Sequence, residues 1–208
     1  YKRQVITMGP DMAKEALREC LAAGADRAVL LSDRAFANAD TLATSYVIVS
    51  AAKMLGDFDL IFCGKESLDG ATGQMGAQLA QRFEAAQVTG TLLIKEVNEE
   101  AKTAVVEREL EDGVETLEVK LPSLFTMEKV NYPARIPNLK GKLAAKKAVI
   151  TTITADDIPG LDRGRIGDPG SPTKVPRMFP PVMPEPGIII DEGSVEASVA
   201  KLMQLIKD

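Results

Sequence analysis

The 208-residue sequence contains no histidine and no tryptophan, and it has only two cysteines, Cys20 and Cys63. Without histidine there is no Ser-His-Asp or Cys-His pair, no imidazole general base and no usual zinc ligand set. The two cysteines lie far apart and form no C-x-x-C motif, which predicts buried, reduced thiols rather than a disulfide framework. We therefore expect no catalytic side chain and no metal site in this chain, and a cytoplasmic location.

Long apolar runs and an excess of basic charge are also lacking. No apolar run approaches the roughly 20 residues needed to span a bilayer, and the formal net charge is -5. The cluster of Lys140, Lys142, Lys146 and Lys147 is local and typical of a solvated helix face. These features indicate a soluble protein with no membrane insertion and no nucleic-acid partner.

Strand-like and helix-like segments alternate through the first half of the chain. The apolar runs QVITMG, RAVLLS and FDLIFC are each followed by a helical pattern, and the third of these helices is predicted from about Ala71 to Ala85. Short apolar runs of this kind suit strands that are buried on both faces. The pattern predicts an α/β fold with a mostly parallel, doubly wound, Rossmann-like sheet.

A different pattern follows the third helix. The segments KTAVVEREL and VETLEVKL flank a turn at Asp112-Gly113, and alternation of apolar and polar residues in the second segment predicts an added β-hairpin. The segment SLFTM predicts one further strand. These elements complete a nucleotide-binding type of α/β domain that we expect to span residues 1–154.

The remaining residues, 155–208, predict a Pro/Gly-rich arm. Eight of the twelve prolines lie between Pro159 and Pro186, so this segment is not expected to be a core element. GIIID suggests a short strand, and Ser194 is expected to cap a terminal helix. That helix carries one apolar stripe, formed by Val195, Val199, Leu202 and Ile206. The arm either wraps its own domain or docks on a partner subunit, and long irregular segments favour the partner.

The loop CGKESLDGATGQMG, Cys63–Gly76, lies between the third strand and its helix, where α/β proteins often hold phosphate. It is neither a P-loop nor a G-x-G-x-x-G fingerprint. Its glycines recur at intervals of three over 70–76, and missing side chains let backbone N–H groups approach an anion at a helix start. Ser67 and Thr72 can donate hydroxyl hydrogen bonds, and Lys65 can supply positive charge. The alternative is a turn whose glycines only allow close packing of helix against strand.

Over essentially its whole length the chain resembles the beta subunit of electron-transfer flavoproteins. CGKESLDGATGQMGAQLA is similar to the nucleotide-binding loop of that family, in the same strand-loop-helix setting. VERELEDGVETLEVKLPSLFT, Val106–Thr126, resembles the family's signature hairpin, although Phe125 replaces the usual aliphatic residue. ARIPNLKGKLAAKK resembles the family's recognition loop and basic helix.

The resemblance implies an electron carrier built with an alpha subunit, on an adenine-nucleotide-binding fold. Alpha would hold the mobile flavin, and this subunit would bind a nucleotide of its own. That nucleotide is FAD, reduced by NADH, in the electron-bifurcating branch and a structural AMP in the ordinary branch. Ser32–Thr44 (SDRAFANADTLAT) and Gly170–Val175 (GSPTKV) resemble segments of bifurcating members and favour FAD. The flavin would carry the redox chemistry, while the protein orients its ring and sets its potential.

The resemblance also implies which residues contact nucleotide and partner. The residues expected to bind the nucleotide are Met8, Gly64, Lys65, Glu66, Ser67, Leu68, Asp69, Gly70, Ala71, Thr72, Gly73, Gln74, Met75 and Gly76, with Met8 near the adenosine end. Ile136, which precedes Pro-Asn in the recognition loop, is expected to enter a pocket on an acyl-CoA dehydrogenase partner. The alternative is that Ile136 packs back onto its own domain.

The sequence departs from the family pattern in three places. Family members usually begin with a further strand, loop and helix, so we expect the natural beginning, and with it part of the nucleotide pocket, to be absent from this sequence. The counterparts of Ala71 and Gly73 are usually aspartate and a larger residue. A function of another class, a nucleotide-binding or adenylate-transferring enzyme, stays open, with Lys65, Glu66 and Asp69 as candidates to hold phosphates and magnesium.

Overall fold

The structure, a computed structural model, describes residues 2–129, 133–184 and 186–207. The chain divides into a compact unit that ends at Lys174 and a C-terminal unit that starts at Val175. Strands and helices alternate in the first unit, and this confirms the predicted α/β class. The strands are β1 (Gln4–Met8), β2 (Arg27–Leu31), β3 (Leu60–Gly64), β4 (Ala86–Asn98), β5 (Thr103–Leu110), β6 (Gly113–Lys120), β7 (Ser123–Met127) and β8 (Thr151–Ile153). The helices are α1 (Lys14–Ala23), α2 (Thr41–Lys53), α3 (Met75–Phe83), α4 (Leu139–Lys147) and, in the second unit, α5 (Val195–Lys207).

The strands of the first unit are divided between two sheets. One sheet has the order β1–β2–β8 and is parallel throughout. The other has the order β3–β7–β4–β5–β6, with parallel pairing from β3 to β4 and antiparallel pairing from β4 to β6. The predicted hairpin is confirmed, because Leu110 of β5 pairs with Gly113 of β6. Its turn is formed by Glu111 and Asp112, one position before the predicted turn at Asp112-Gly113. β1 and β3 therefore each form the edge of a sheet.

Helix α2 joins the hydrophobic clusters of the two sheets. Val47 lies in a cluster with Val29 of β2, whereas Val49 lies in a second cluster with Leu124 of β7. Ile48 packs against both clusters. A helix that is apolar around most of its circumference is buried on several sides, as this one is. The N-terminus of α2 is thereby fixed relative to β3 and the loop that follows it.

Residues 155–174 contribute to the core, and the expectation that the Pro-rich segment could not do so is wrong for this part of it. Ile158 and Ile166 are buried in the cluster that contains Val29. Gly167 has φ +54°, and a Cβ atom there would overlap the carbonyl oxygen of Ala35. Tight turns bring this segment into contact with the sheet, and such contacts leave no periodic pattern in a sequence.

The C-terminal unit consists of irregular chain followed by α5. The Ser194 hydroxyl accepts a hydrogen bond of 3.2 Å from the Ala197 N–H, which confirms the predicted cap. The prediction of a short strand at GIIID is wrong, because residues 187–191 adopt no regular structure. A strand is stable only when it pairs with a neighbour, and the described residues of this unit include no strand.

Two further expectations concern side-chain exposure and membranes. Cys20 and Cys63 are free thiols but only half-buried, so the expectation that both are buried is not met. The lysines of α4 are exposed, as a solvated helix face requires. Within the described residues, no helix is both long enough and apolar enough to cross a bilayer.

Candidate functional site

The loop after β3 starts beside the end of β7. Cys63 pairs with Thr126, and Gly64 pairs with Met127. Burial raises the pKa of the Cys63 thiol, so this side chain remains neutral at physiological pH. The loop itself is open, because residues 64–74 are all exposed. The edge strand β3 and the buried strand β7, which run parallel, thus hold the base of a solvent-facing loop.

Helix α3 begins at Met75, and the predicted start near Ala71 is wrong. Ala71 has φ +45° and Gly73 has φ +60°, values that a right-handed helix cannot contain. The Ala71 N–H donates a 3.1 Å hydrogen bond to the Ser67 carbonyl, which closes a turn instead. Residues 71–74 therefore belong to the loop and lengthen the segment that can follow the contour of a ligand.

The first turn of α3 has backbone donors without a side-chain cap. Gln74 occupies the N-cap position, and its side chain makes no capping hydrogen bond. The unpaired N–H groups and the helix dipole both favour an anion at this end. No described atom lies within 4 Å of where a Cβ would stand on Gly64 or Gly73. The loop thus leaves room for a phosphate to approach its backbone.

Gly76 has a different role from Gly73. A Cβ atom at position 76 would overlap the Cγ2 atom of Thr126 and would lie 3.4 Å from the Cys63 Sγ. Gly76 is buried, and it allows α3 to approach β7 closely. The packing interpretation of the glycines therefore applies to Gly76, whereas Gly73 supplies backbone conformation and open space.

Two residues that the sequence interpretation did not include join the loop to α2. The Thr41 hydroxyl donates a 2.9 Å hydrogen bond to Gln74 Oε1 and accepts one of 3.2 Å from Gln78 Nε2. Gln78 Oε1 is buried and has no hydrogen-bond partner among the described residues. The i, i+4 spacing of Gln74 and Gln78 was the available signal in the sequence. This network leaves the Gln74 amide nitrogen as a donor for a ligand, whereas the Gln78 oxygen is enclosed by the protein.

The side-chain charges of the loop are largely engaged by neighbours. Lys65 Nζ lies 2.7 Å from Glu128 Oε1, and the hydrogen bond to Glu128 raises the pKa of Lys65. Hydrogen bonds from the Ser67 hydroxyl and then the Gly70 N–H lower the pKa of Asp69. Lys65 is thus already paired within the chain, and a ligand anion would depend on the backbone donors more than on this side chain.

The two segments that resemble bifurcating members meet at Asp40. The Asp40 N–H donates a 2.8 Å hydrogen bond to Ser171 Oγ. The Asp40 carboxylate accepts hydrogen bonds of 3.0 Å from the N–H groups of Ala43 and Thr173. Burial opposes ionisation of this carboxyl, but these donors hold its pKa below the usual range. The 170–175 segment is thereby fixed at the N-terminus of α2, next to Thr41.

Met8 and Ile136 lie apart from this loop in the chain and have separate surroundings. Met8 ends β1 in the other sheet and packs against the cluster that contains Leu31 and Phe36. Ile136 is 87% exposed and precedes α4, whose N-terminus is capped by a 2.7 Å hydrogen bond from the Gly141 N–H to Asn138 Oδ1. The alternative in which Ile136 packs onto its own domain does not fit this exposure.

Comparison with known proteins gives consistent similarities along the chain. A family model described as the electron transfer flavoprotein domain matches residues 3–158. The chain is 42% identical over 205 residues to the electron transfer flavoprotein subunit beta of Thermoanaerobacterium thermosaccharolyticum, covering 98% of this chain and 76% of that protein. It is 41% identical over 204 residues to the caffeyl-CoA reductase-Etf complex subunit CarD of Acetobacterium woodii, with coverages of 98% and 76%. Protein FixA of Bradyrhizobium diazoefficiens is 39% identical over 198 residues, with coverages of 93% and 69%.

Proposed function

This chain belongs to the electron transfer flavoprotein family, among relatives of its beta subunit, and from that premise we propose that it is the nucleotide-binding beta subunit of a heterodimeric electron carrier. It would pair with an alpha subunit and carry electrons between a donor, NADH or a dehydrogenase, and an acceptor. The observation that carries this proposal is the open loop 64–74 ahead of the uncapped first turn of α3.

The loop fits the phosphates of a dinucleotide by its backbone. The positive φ of Gly73 turns the chain without a side chain in the way. The free donors of α3 and the amide nitrogen of Gln74 would bind phosphate oxygens, and the hydroxyl of Thr72 is a further donor.

We propose FAD rather than AMP as this nucleotide. The loop is hydrogen-bonded to Thr41, and the neighbouring Asp40 is hydrogen-bonded to Ser171 and Thr173. This continuous row of polar groups supports FAD. These contacts extend the candidate surface beyond the loop, and the segments concerned are those that resemble bifurcating members. Bound FAD would supply two-electron and one-electron redox chemistry. The chain's own residues would bind its phosphates, position it and exclude water.

The C-terminal unit is proposed to bind the alpha subunit. The stripe of α5 leaves Val195, Val199, Leu202 and Ile206 exposed, and Ile188 and Ile189 are exposed as well. Apolar side chains exposed together mark an interaction surface. The prolines before them hold the chain extended and reduce the entropy lost on binding.

The loop that carries Ile136 is proposed to bind an acyl-CoA dehydrogenase-type enzyme that exchanges electrons with the heterodimer. Ile136 lies between Arg135 and Pro137, and the proline restricts its backbone to extended conformations. An exposed aliphatic side chain on such a loop can enter a pocket with little ordering cost. Ile136 has that exposure.

The test is to identify the nucleotides of the heterodimer. The protein is co-expressed with its alpha subunit, the purified complex is denatured, and the released nucleotides are quantified by chromatography and mass spectrometry. We expect two FAD per heterodimer, one from each subunit. One FAD with one AMP would support the alternative nucleotide, and one FAD with no second nucleotide would overturn the proposal.

A further inference from the structure

Two arginines from different elements approach the same aromatic ring. The Cζ atom of Arg82 lies 5.5 Å from the centroid of the Tyr46 ring, and the Cζ atom of Arg165 lies 4.1 Å from it. Arg82 is in the last turn of α3, and Arg165 ends the 3-10 turn Arg163–Arg165. Cation–π attraction to the ring favours each contact separately, but it brings two like charges together.

Neither arginine is neutralised within the described part of the chain. No described carboxylate lies within ion-pair distance of either group, whereas the nearby Arg163 pairs with Asp156. Arg82 donates instead to neutral acceptors, the Ser45 hydroxyl at 3.0 Å and the Leu42 carbonyl at 3.3 Å. Burial, and then the charge of Arg165, lower the pKa of Arg82. Two adjacent cations without a counter-charge are unfavourable unless an anion joins them.

The arginines line a pocket of about 320 Å³. Tyr46 of α2 and Arg82 of α3 line it together with Arg165 and the segment Gly170–Pro172. Gly170 packs closely against the Arg165 backbone, where a Cβ atom would overlap it, and its N–H donates a 3.0 Å hydrogen bond to the Ile166 carbonyl. The Asp162 N–H also donates a 3.0 Å hydrogen bond to the Tyr46 hydroxyl. No residue of the loop 64–76 lines this pocket, so it is distinct from the proposed phosphate-binding loop. It adjoins the proposed nucleotide surface at Ser171, which lines the pocket and accepts the hydrogen bond from the Asp40 N–H.

We infer that this pocket binds a phosphate group, inorganic phosphate or a small phosphomonoester, between the guanidinium groups of Arg82 and Arg165. Phosphate carries more than one negative charge at neutral pH, about 1.5 to 2 for a monoester, and so matches two cations better than a carboxylate does. The planar donor edge of a guanidinium suits tetrahedral phosphate oxygens. The Tyr46 hydroxyl and the backbone of Gly164 and Gly170 supply polar atoms and close approach beside them.

Calorimetric titration of the purified heterodimer with inorganic phosphate and with glycerol 3-phosphate tests this inference, at constant ionic strength and with acetate as the anion control. We expect one saturable site for phosphate, with acetate binding more weakly. Arg165→Gln is expected to weaken phosphate binding by about tenfold or more. The matched control, Arg163→Gln, removes a neighbouring exposed cation and leaves the affinity unchanged.

Each outcome decides for or against the pocket. Tighter binding of glycerol 3-phosphate assigns the site to phosphomonoesters, and equal affinity assigns it to the free anion; both support the inference. Absence of saturable binding, or equal affinity in Arg165→Gln, would overturn it. Arg165→Gln is also expected to keep its full nucleotide content, whatever that nucleotide is. Loss of that nucleotide would assign the pocket to the nucleotide site and reject a separate phosphate site. A second variant, Arg165→Lys, keeps the charge and is expected to show intermediate affinity.

Discussion

The Thr41 hydroxyl lies 2.9 Å from Gln74 Oε1 and donates a hydrogen bond to it. This bond joins the first residue of α2 to the last residue of the candidate nucleotide loop. Gln78 adds a second bond to the same hydroxyl. The end of the loop is therefore positioned by α2. A substitution in the segment before α2 is expected to alter the loop through this hydrogen bond, although no hydrogen bond between described residues joins that segment to the loop directly.

Gly73→Val is expected to release the nucleotide of this subunit. Valine is strongly disfavoured at the φ of +60° that Gly73 adopts, and its side chain would fill the open space above the loop. The matched control is Gly160→Val, since Gly160 has φ +70° and equally open surroundings. The nucleotide content of the two purified heterodimers is the measurement. Equal content in both variants would contradict the role assigned to Gly73.

Gly76→Ala is expected to destabilise the fold by about 1–3 kcal/mol, because its methyl group would overlap Thr126 Cγ2. Thr126→Ser removes that methyl group and keeps the hydroxyl, which accepts a 3.2 Å hydrogen bond from the Gly90 N–H. Urea unfolding of the single variants and the double variant measures the coupling. We expect the double variant to be more stable than the sum of the single effects predicts. Strict additivity would show that the overlap is relieved elsewhere.

Asp33→Asn is expected to reduce stability at pH 7 more than at pH 3. The Asp33 carboxylate accepts 2.9 Å hydrogen bonds from the N–H groups of Ala35 and Ala155. These bonds, the one from Ala35 first, lower its pKa. A lowered pKa in the folded state gives stability that is present above the ordinary value of about 4 and is lost as the pH falls toward the folded value.

The measurement is the difference in unfolding free energy between wild type and Asp33→Asn at the two pH values. Asp57→Asn is the control, because Asp57 is exposed and makes no side-chain hydrogen bond to the described residues. A difference that is as large at pH 3 as at pH 7 would show that the substitution acts through packing instead of charge.

Truncation after Lys174 is expected to prevent or weaken binding of the alpha subunit while the α/β unit stays folded. The removed residues form a separate compact unit with its apolar stripe exposed. Truncation after Thr154 is expected to lower stability as well, since it also removes buried Ile158 and Ile166. Co-purification with alpha and thermal melting of each chain distinguish the two effects. Normal co-purification of the chain that ends at Lys174 would disprove the docking role.

Ile136→Ala is expected to slow electron transfer to the dehydrogenase partner with almost no change in stability, within about 0.5 kcal/mol. Ile136 is 87% exposed, so truncation removes little packing within the chain. Val149→Ala is the matched control, because Val149 is 88% exposed. Partner-dependent reduction rates and melting temperatures are compared for both variants. Unchanged rates in Ile136→Ala would rule out the anchor.

The sequence predicted those parts of the fold that depend on periodicity. The alternation of strand and helix, the hairpin around Asp112-Gly113 and the Ser194 cap all follow from local patterns. The start of α3 could not be found this way, because alanine favours helices and nothing local shows that Ala71 has positive φ. The packing of residues 155–174 depends on turns that fit a distant surface, and this fit has no signature in composition.

The location of the candidate site was predictable, but its electrostatics were not. The strand-loop-helix order and the glycine spacing mark residues 64–76 from the sequence alone. Glu128, which neutralises Lys65, lies at the end of a strand 63 positions later in the chain. Thr41 likewise reaches Gln74 only through the packing of α2. Contacts between elements distant in sequence determine which charges and donors remain free.

The close contact at Gly76 divides the site into regions of different mobility on the hydrogen-exchange timescale. Without a side chain at position 76, α3 lies so near Thr126 that the helix cannot slide along β7 without steric overlap. The exposed loop before it has few such restraints. Amide protons of β7 should therefore exchange slowly and those of the loop rapidly. If a bound nucleotide protects the loop amides, their exchange rate then measures how long the nucleotide stays bound. The slowly exchanging strand amides are the internal reference.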